Sequence, residues 1–411
     1  MAGSDFICKN LPNVLSSFVD TFVDFSVSGL FLPPLPPSPA IETPATNPPA
    51  TLSINTSLSS DPEFRTRYPC PDRLIAIGDL HGDLQKFNQA LRLAGLINAS
   101  DQWSGGSATV VQVGDVLDRG GDEIKILYFL EKLKRQAANS GGSIITMNGN
   151  HEIMNVDGDF RYVTQDGINE FSNWAFWYSV GNAMKNLCDG LVNLTKDPFE
   201  GIPSEFRGVR KEFHDGIKAR IAALRPNGPI SSRFLSKNQT VVVMGENVFV
   251  HGGLLPSHVS YGLERINDEV RDWINGSREK ISTKIGRGRD SVVWSRKYSS
   301  ESAMDCDCSA LELVLASIPG ARRMIMGHTI QESGINGVCG NKAIRIDVGM
   351  SRGCINGLPE VLEIDKNSDL RVLTSNTLYR EKNEAFLRTG RKDGLGLLLP
   401  EHIPKQVDVQ A

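Results

Sequence analysis

The chain has 411 residues, 44 Lys and Arg against 48 Asp and Glu, and a formal net charge of −4. That length accommodates one large catalytic domain with extensions, or two ordinary domains. A hydrophobic fraction of 40% and a charged fraction of 22% belong to a soluble globular chain with a sizeable core. The balance argues against a basic nucleic-acid surface or a polybasic membrane patch, so function has to reside in local sites.

In chain order, Val14, Leu15, Phe18, Val19, Phe22 and Val23 recur at helical spacing and predict a short amphipathic helix. Asp20 and Asp24 interrupt the apolar stretch Val14 to Leu32, which argues against a spanning helix. The first 60 residues contain one Lys and no Arg, a poor match to a transit peptide. The expected address is cytoplasmic, with the mitochondrial intermembrane space as the alternative. Proline recurs between Pro33 and Pro49, which predicts an extended linker. Residues 1–70 therefore form an N-terminal extension whose helix is expected to dock on the domain, with a protein partner bound through the helix or the linker, or a membrane surface, as the alternatives, and a domain boundary falls near Cys70.

Beyond that boundary, Arg73 to Ile77, Thr109 to Val113 and Gly142 to Met147 are apolar runs of strand length, each ending in a glycine-containing turn. Helical patterns run between them, over Leu84 to Leu96 and Asp122 to Gln136. Strand, turn and helix in repetition give an α/β pattern, in which ligands gather at the carboxyl ends of strands. Residues 159–235 read as an inserted helical subdomain, rich in aromatics from Phe160 to Tyr178. Strands return at Thr240 to Met244, Asn247 to Val250, Arg323 to Met326 and Ala343 to Asp347. The catalytic domain spans residues 71–385, and 386–411 is a tail.

Cysteines stand at 8, 70, 188, 306, 308, 339 and 354, an odd number at irregular spacing. This argues against a secreted disulfide framework and predicts reduced thiols. Cys306 and Cys308 lie close together with no second close pair to complete a zinc ribbon. Because Cys339 soon follows His328, bridging there offers a route to redox control.

Five polar turns follow predicted strands: Gly78-Asp79-Leu80-His81-Gly82, Gly114-Asp115-Val116-Leu117-Asp118-Arg119-Gly120, Gly149-Asn150-His151-Glu152, His251-Gly252-Gly253 and Gly327-His328-Thr329. A single Asp-x-His turn is ordinarily a surface turn or a helix cap. Five in order are a different matter, because each places an oxygen or imidazole donor beside a glycine that permits a sharp turn. Asp, Asn and His without thiolate form an oxygen/nitrogen donor set suited to Mn, Fe or Zn.

In order and spacing these turns resemble the metallophosphoesterase signature of the phosphoprotein phosphatase family, across roughly Ile75 to Asp347. The segments Asp290 to Arg296, Gly327 to Gln331 and the long insertion resemble the Shewanella-like protein phosphatases. The resemblance implies a calcineurin-like α/β fold, a β-sandwich with flanking helices. It also implies two divalent metal ions about 3.5–4 Å apart, one held by Asp79, His81 and Asp115, the other by Asp115, Asn150, His251 and His328. A shared water acidified to hydroxide would then attack phosphorus directly, with no phosphoenzyme. Arg119 and Arg296 would bind phosphate oxygens through their planar forks. His151 resembles the general acid, and Asp118 would orient it and raise its pKa.

The activity implied is hydrolysis of phosphoserine and phosphothreonine monoesters in phosphorylated proteins. The alternatives are a phosphotyrosine preference, dinucleoside polyphosphate hydrolysis on the same core, and a non-catalytic scaffold docking through the extension. Intact ligand positions and His151 speak against the scaffold. Arg296 could equally accompany a packed Trp294, His214 and His258 read as surface or packing residues, and Ser351 and Arg352 are candidates for the cleft wall.

Overall fold

The computed structural model describes residues 64–185 and 197–375. The N-terminal helix, the proline-rich linker and the C-terminal tail expected from the sequence lie outside the described residues. Eleven strands are described: β1 (Arg67–Tyr68), β2 (Arg73–Ile77), β3 (Thr109–Gln112), β4 (Ser143–Thr146), β5 (Val241–Met244), β6 (Asn247–Val250), β7 (Arg323–Met326), β8 (Asn336–Val338), β9 (Ala343–Arg345), β10 (Glu360–Asp365) and β11 (Leu370–Thr374). The main helices are α1 (Leu84–Leu93), α2 (Glu123–Asn139), α3 (Asn150–Val156), α4 (Gln165–Lys185), α5 (His214–Leu224), α6 (Leu263–Ile274) and α7 (Cys308–Ser317).

The strands form two mixed sheets. One has the order β11-β10-β2-β3-β4, with β2, β3 and β4 parallel and β10 antiparallel to both of its neighbours. The other has the order β1-β5-β6-β7-β9-β8, with β6, β7 and β9 parallel. Central strands buried on both faces need continuous apolar sequence, which is why Leu74, Ile75, Ala76 and Ile77 are all buried in succession. Residues from both sheets and from the helices between them share one core, including Ile75, Val111, Phe87, Phe249, Met324 and Ile344. β1 lies upstream of Cys70 and already belongs to the fold through parallel pairing with β5.

This arrangement brings the carboxyl ends of β2, β3, β6, β7 and β9 to one place, because the chain turns sharply after each. The turns leave no spare room. A Cβ on Gly78 would stand 2.4 Å from the Ile346 carbonyl oxygen, so the β2 exit touches the β9 exit at backbone distance. Among the described residues no helix is long and apolar enough to cross a membrane.

The expectation of reduced thiols is corrected at two positions. Cys308, at the start of α7, forms a disulfide with Cys339, which follows β8. The partners are 31 residues apart in sequence, and the return of the chain along β7 and β8 brings their Cα atoms to 5.3 Å. Sequence spacing draws attention to Cys306 beside Cys308, yet Cys306 is a free, buried thiol. Cys70 and Cys354 are also free.

The contact at Gly78 yields a stability prediction. Gly78→Ala should destabilise the protein by about 1–3 kcal/mol, because the added methyl meets backbone that cannot swing aside. A denaturation midpoint equal to the wild type would contradict that close approach.

Candidate active site

The loop after β3 is built around a clamp. Glu152, at the start of α3, accepts hydrogen bonds from the backbone N–H groups of Asp115 (2.8 Å), Val116 (2.8 Å), Leu117 (3.1 Å) and Gly149 (2.8 Å). One buried carboxylate thereby satisfies four donors on two loops and fixes their relative position. Asp115 adopts φ 54°, Asp118 φ 70° and Arg119 φ 66°, a left-handed backbone uncommon outside glycine. Such conformations persist only where the surroundings enforce them.

Asp115 is 1% exposed and its side chain sits at the centre. Its Oδ1 accepts the His151 backbone N–H at 3.0 Å. Its Oδ2 lies 3.1 Å from His251 Nε2 and 3.8 Å from the Nε2 atoms of His81 and His151. Two groups of donor atoms meet there, His81–Asp115–His151 and Asp115–His251–His328, with atoms in each group within 4.8 Å of one another. Asn150 joins the second group, its Oδ1 being 2.9 Å from His251 Nε2. Asp79, expected as a ligand of the first metal, belongs to neither compact group. Its carboxylate accepts the His328 backbone N–H at 3.1 Å, near His251 Nδ1 at 4.0 Å.

The imidazoles are oriented by their second nitrogens. His81 Nδ1 donates to the Leu117 carbonyl and His251 Nδ1 to the Val113 carbonyl, both at 3.0 Å, which turns Nε2 inward as a lone-pair donor. His328 Nε2 is buried with no hydrogen-bond partner. Burial, and after it the charge of His151, pushes His81 down to about 3. Burial and then the His251 charge hold His328 well below the usual range. In the other direction, burial and the neighbouring carboxylates of Asp347 and Asp115 raise Asp79 well above its ordinary value. Neutral nitrogen lone pairs, an orphaned His328 Nε2 and crowded buried carboxylates fit divalent cations.

His151 differs in its second partner. Its Nδ1 lies 2.6 Å from Asp118 Oδ2, a fully buried carboxylate. Burial alone would lower this imidazole, but the charge of Asp115 and then the hydrogen bond it donates to Asp118 leave it raised overall. Its ring is 4.6 Å from that of His81 and 5.0 Å from that of Tyr162.

These groups open into a cleft of about 690 Å³ lined by His81, Asp115, Arg119, Asn150, His151, Arg296, His328 and Asp347. Arg119 stands 5.1 Å from the Tyr162 ring, with its buried Nε unpaired. Arg296 Nη1 donates to the His328 carbonyl (3.0 Å) and to Thr329 Oγ1 (2.7 Å), which aims the guanidinium along the cleft wall. Trp294 packs edge-on to His328 at 5.5 Å, so this segment packs a ring and lines the cleft at once.

The cleft-wall candidates Ser351 and Arg352 are placed differently. Ser351 is buried and donates to the His81 carbonyl at 3.0 Å. Arg352 turns aside to form a two-pronged pair with Asp83, at 2.9 and 3.0 Å. His258 Nδ1 accepts the Leu255 N–H at 3.0 Å and His214 Nε2 donates to the Val209 carbonyl at 2.9 Å, both away from the cleft. Of the insertion aromatics, Phe171 and Trp174 are core and Tyr162 lines the cleft.

Asp347, Tyr162 and the clamp role of Glu152 escape a motif reading. Asp347 had a usable signal, since it too stands at the carboxyl end of a strand. Tyr162 had none, because nothing distinguishes it from its aromatic neighbours. The clamp is testable. Glu152→Gln should weaken divalent-metal binding about 10–100-fold and lower stability by about 1–3 kcal/mol, since its amide N–H₂ must face backbone donors. Metal titration calorimetry with unchanged affinity would show that the clamp does not organise the site.

Comparison with known proteins agrees with this geometry. Residues 72–332 match the family model described as calcineurin-like phosphoesterase. The chain is 59% identical over 406 residues to Shewanella-like protein phosphatase 2 of Arabidopsis thaliana, covering 98% of each chain. It is 29% identical over 302 residues to Shewanella-like protein phosphatase 1 of Plasmodium berghei, covering 71% of this chain and 72% of that protein. Among solved structures, the cold-active protein-tyrosine phosphatase of a psychrophilic Shewanella superposes with a TM-score of 0.52 at 20% identity, covering 80% of this chain and 89% of that one. With strands, turns and buried donors assembled in one cleft and a near-full-length relative at that identity, the chain belongs to the calcineurin-like phosphoesterases, within their Shewanella-like protein phosphatase group.

Proposed function

We propose that this protein is a metal-dependent protein phosphatase that hydrolyses phosphoserine and phosphothreonine monoesters by direct attack of water. The observation that carries the reading is the buried His151–Asp118 pair at 2.6 Å, beside Asp115 in the cleft. An alkoxide is a poor leaving group and needs a proton as the ester bond breaks, whereas a phenolate leaves readily without one. A carboxylate-backed imidazole supplies that proton.

Asp79, His81, Asp115, Asn150, His251 and His328 would hold two divalent ions, with manganese the first candidate and iron or zinc the alternatives. When bound, such a pair supplies electrophilic activation of the phosphoryl group and of a water nucleophile at neutral pH. The residues of the chain do the rest. Arg119 and Arg296 grip the non-bridging oxygens and orient phosphorus, replacing the water that would otherwise solvate them. His151 Nε2–H protonates the departing oxygen, and Asp118 stabilises the imidazolium before the transfer.

A second reading is a preference for phosphotyrosine. Tyr162, 38% exposed, presents its ring beside His151 and Arg119, a flat wall on which a substrate ring can stack. The structural neighbour described as a protein-tyrosine phosphatase lends this reading its interest. Dinucleoside polyphosphates are a third substrate class for the same core.

Stripping metal with a chelator should abolish turnover, and manganese should restore it. Assays on phosphoserine, phosphothreonine and phosphotyrosine peptides and on diadenosine tetraphosphate then rank the readings; activity confined to the dinucleotide would sink the leading one. His151→Asn should slow phosphoserine hydrolysis by about 10²–10⁴-fold and 4-nitrophenyl phosphate hydrolysis much less. Equal losses on the two substrates would remove His151 from the acid role.

A further inference from the structure

Arg220 lies on α5, in the helical region between α3 and β5, yet its side chain is 0% exposed. A fully buried arginine is rare unless every donor has a partner. Here its Nε donates to Asn155 Oδ1 (2.8 Å), Nη1 to Glu123 Oε1 (2.9 Å), and Nη2 to both Glu123 Oε2 (2.7 Å) and Asp118 Oδ1 (2.9 Å). The guanidinium also faces the Phe171 ring at 4.6 Å and the Phe160 ring at 5.7 Å.

Asp118 is thus held at both oxygens. Oδ2 faces His151 Nδ1, and Oδ1 receives Arg220 and also Asn155 Nδ2 at 3.0 Å. Its own backbone N–H donates to Glu123 Oε2 at 2.9 Å. Asn155 closes the ring by donating to the His151 carbonyl at 2.9 Å. Rotation of the Asp118 carboxylate would carry Oδ2 away from the imidazole, and the two bonds to Oδ1 oppose that rotation. The fork is rigid and planar, so it fixes an orientation as well as a charge; a lysine ammonium would supply charge without the fork.

We propose that Arg220 is a positioning residue for leaving-group protonation, reaching from the inserted helices to hold Asp118 and through it His151. This rests on the acid role proposed for His151. In the step concerned, a bond forms from water oxygen to phosphorus and the bond from phosphorus to the ester oxygen breaks. The ester oxygen takes the proton of His151 Nε2, and the imidazole recovers one from the water consumed. Arg220 touches neither substrate nor reacting atoms, and the helices that carry it are part of the catalytic machinery and not an appendage.

The test compares the full-length, manganese-loaded wild type with Arg220→Lys, with the paired variant Arg220→Met/Glu123→Gln, and with His151→Asn. The paired variant removes the charges of Arg220 and Glu123 together, so Glu123 is not left as a lone buried carboxylate, and Asp118 keeps His151 and Asn155 as partners. Each is assayed for kcat and KM on a phosphoserine peptide and on 4-nitrophenyl phosphate, with metal content and thermal transition measured alongside. Misplacing the acid should cut kcat on the phosphoserine peptide by about 10²-fold, cut it far less on the nitrophenyl ester, and leave both KM values near wild type. Arg220→Lys should fall between. Equal losses on both substrates, or none, while His151→Asn keeps its substrate difference, would overturn the proposal alone. A His151→Asn variant without that difference would overturn the acid reading and this proposal with it. Loss of the thermal transition in both Arg220 variants would assign the residue to folding and likewise overturn it.

Discussion

Asp115 is a carboxylate with 1% exposure, and Asp79 and Asp347, each 2% exposed, crowd the same space. Removing such groups from water carries a penalty of several kcal/mol per ion unless compensating charge arrives with them. Burial raises Asp79 and Asp347, with the charges of Asp347 and Asp115 adding at Asp79 and that of Asp115 at Asp347, while the charges of His251 and His151 overcome burial to hold Asp115 well below its ordinary range. The protein meets this charge with imidazoles and a dense set of backbone donors, and bound cations would meet the remainder. Because a ligand that binds only the folded state stabilises it, metal affinity and folding are linked in this architecture.

The turns obey the same constraint. His81, Asp115, Asp118, Arg119 and His328 all adopt positive φ, each beside a glycine-containing tight turn. A Cβ on Gly149 would stand 2.1 Å from Asp115 Oδ1, and one on Gly327 would stand 2.3 Å from Asp79 Oδ1. Gly149 and Gly327 are required for close approach to carboxylates, and Gly78, Gly82, Gly114 and Gly252 for close approach to backbone, which explains why glycine accompanies the donors in the sequence.

That is also why so much of the site was legible without a structure. Parallel strands buried on both faces give unbroken apolar runs such as Arg73–Ile77, and the sharp exits give Gly-Asp and Gly-His turns that stand out against them. The antiparallel pair β10–β11 was not anticipated, because charged residues interrupt its apolar runs without a regular period and no donor-bearing turn follows either strand. β1 was missed because two residues pairing with a strand far along the chain carry no local signal. Cys308 and Cys339 were missed for the same reason, since their proximity is a product of tertiary return and not of spacing. Nothing in the sequence around Arg220 marks it as buried, and only its neighbours reveal its place.

The cleft contains chemically identical side chains held in distinct electrical surroundings. His81 and His251 present Nδ1–H to carbonyl oxygens, which turn Nε2 toward the cleft; burial pushes His81 down, whereas the Asp115 carboxylate overcomes burial at His251 and raises it. His151 presents Nδ1 to a carboxylate, which favours the doubly protonated ring. All three imidazoles face the loop after β3: His81 and His251 meet its backbone, whereas His151, the second residue of α3, meets the side chain of Asp118. Asp118 can serve as that partner only while other donors satisfy its second oxygen, and those donors are Asn155 of α3 and Arg220 of α5. In the proposed reaction the separation of ligand from acid is therefore set by a helix that precedes the insertion and by one within it, which ties the chemistry of one proton to the packing of the inserted helices.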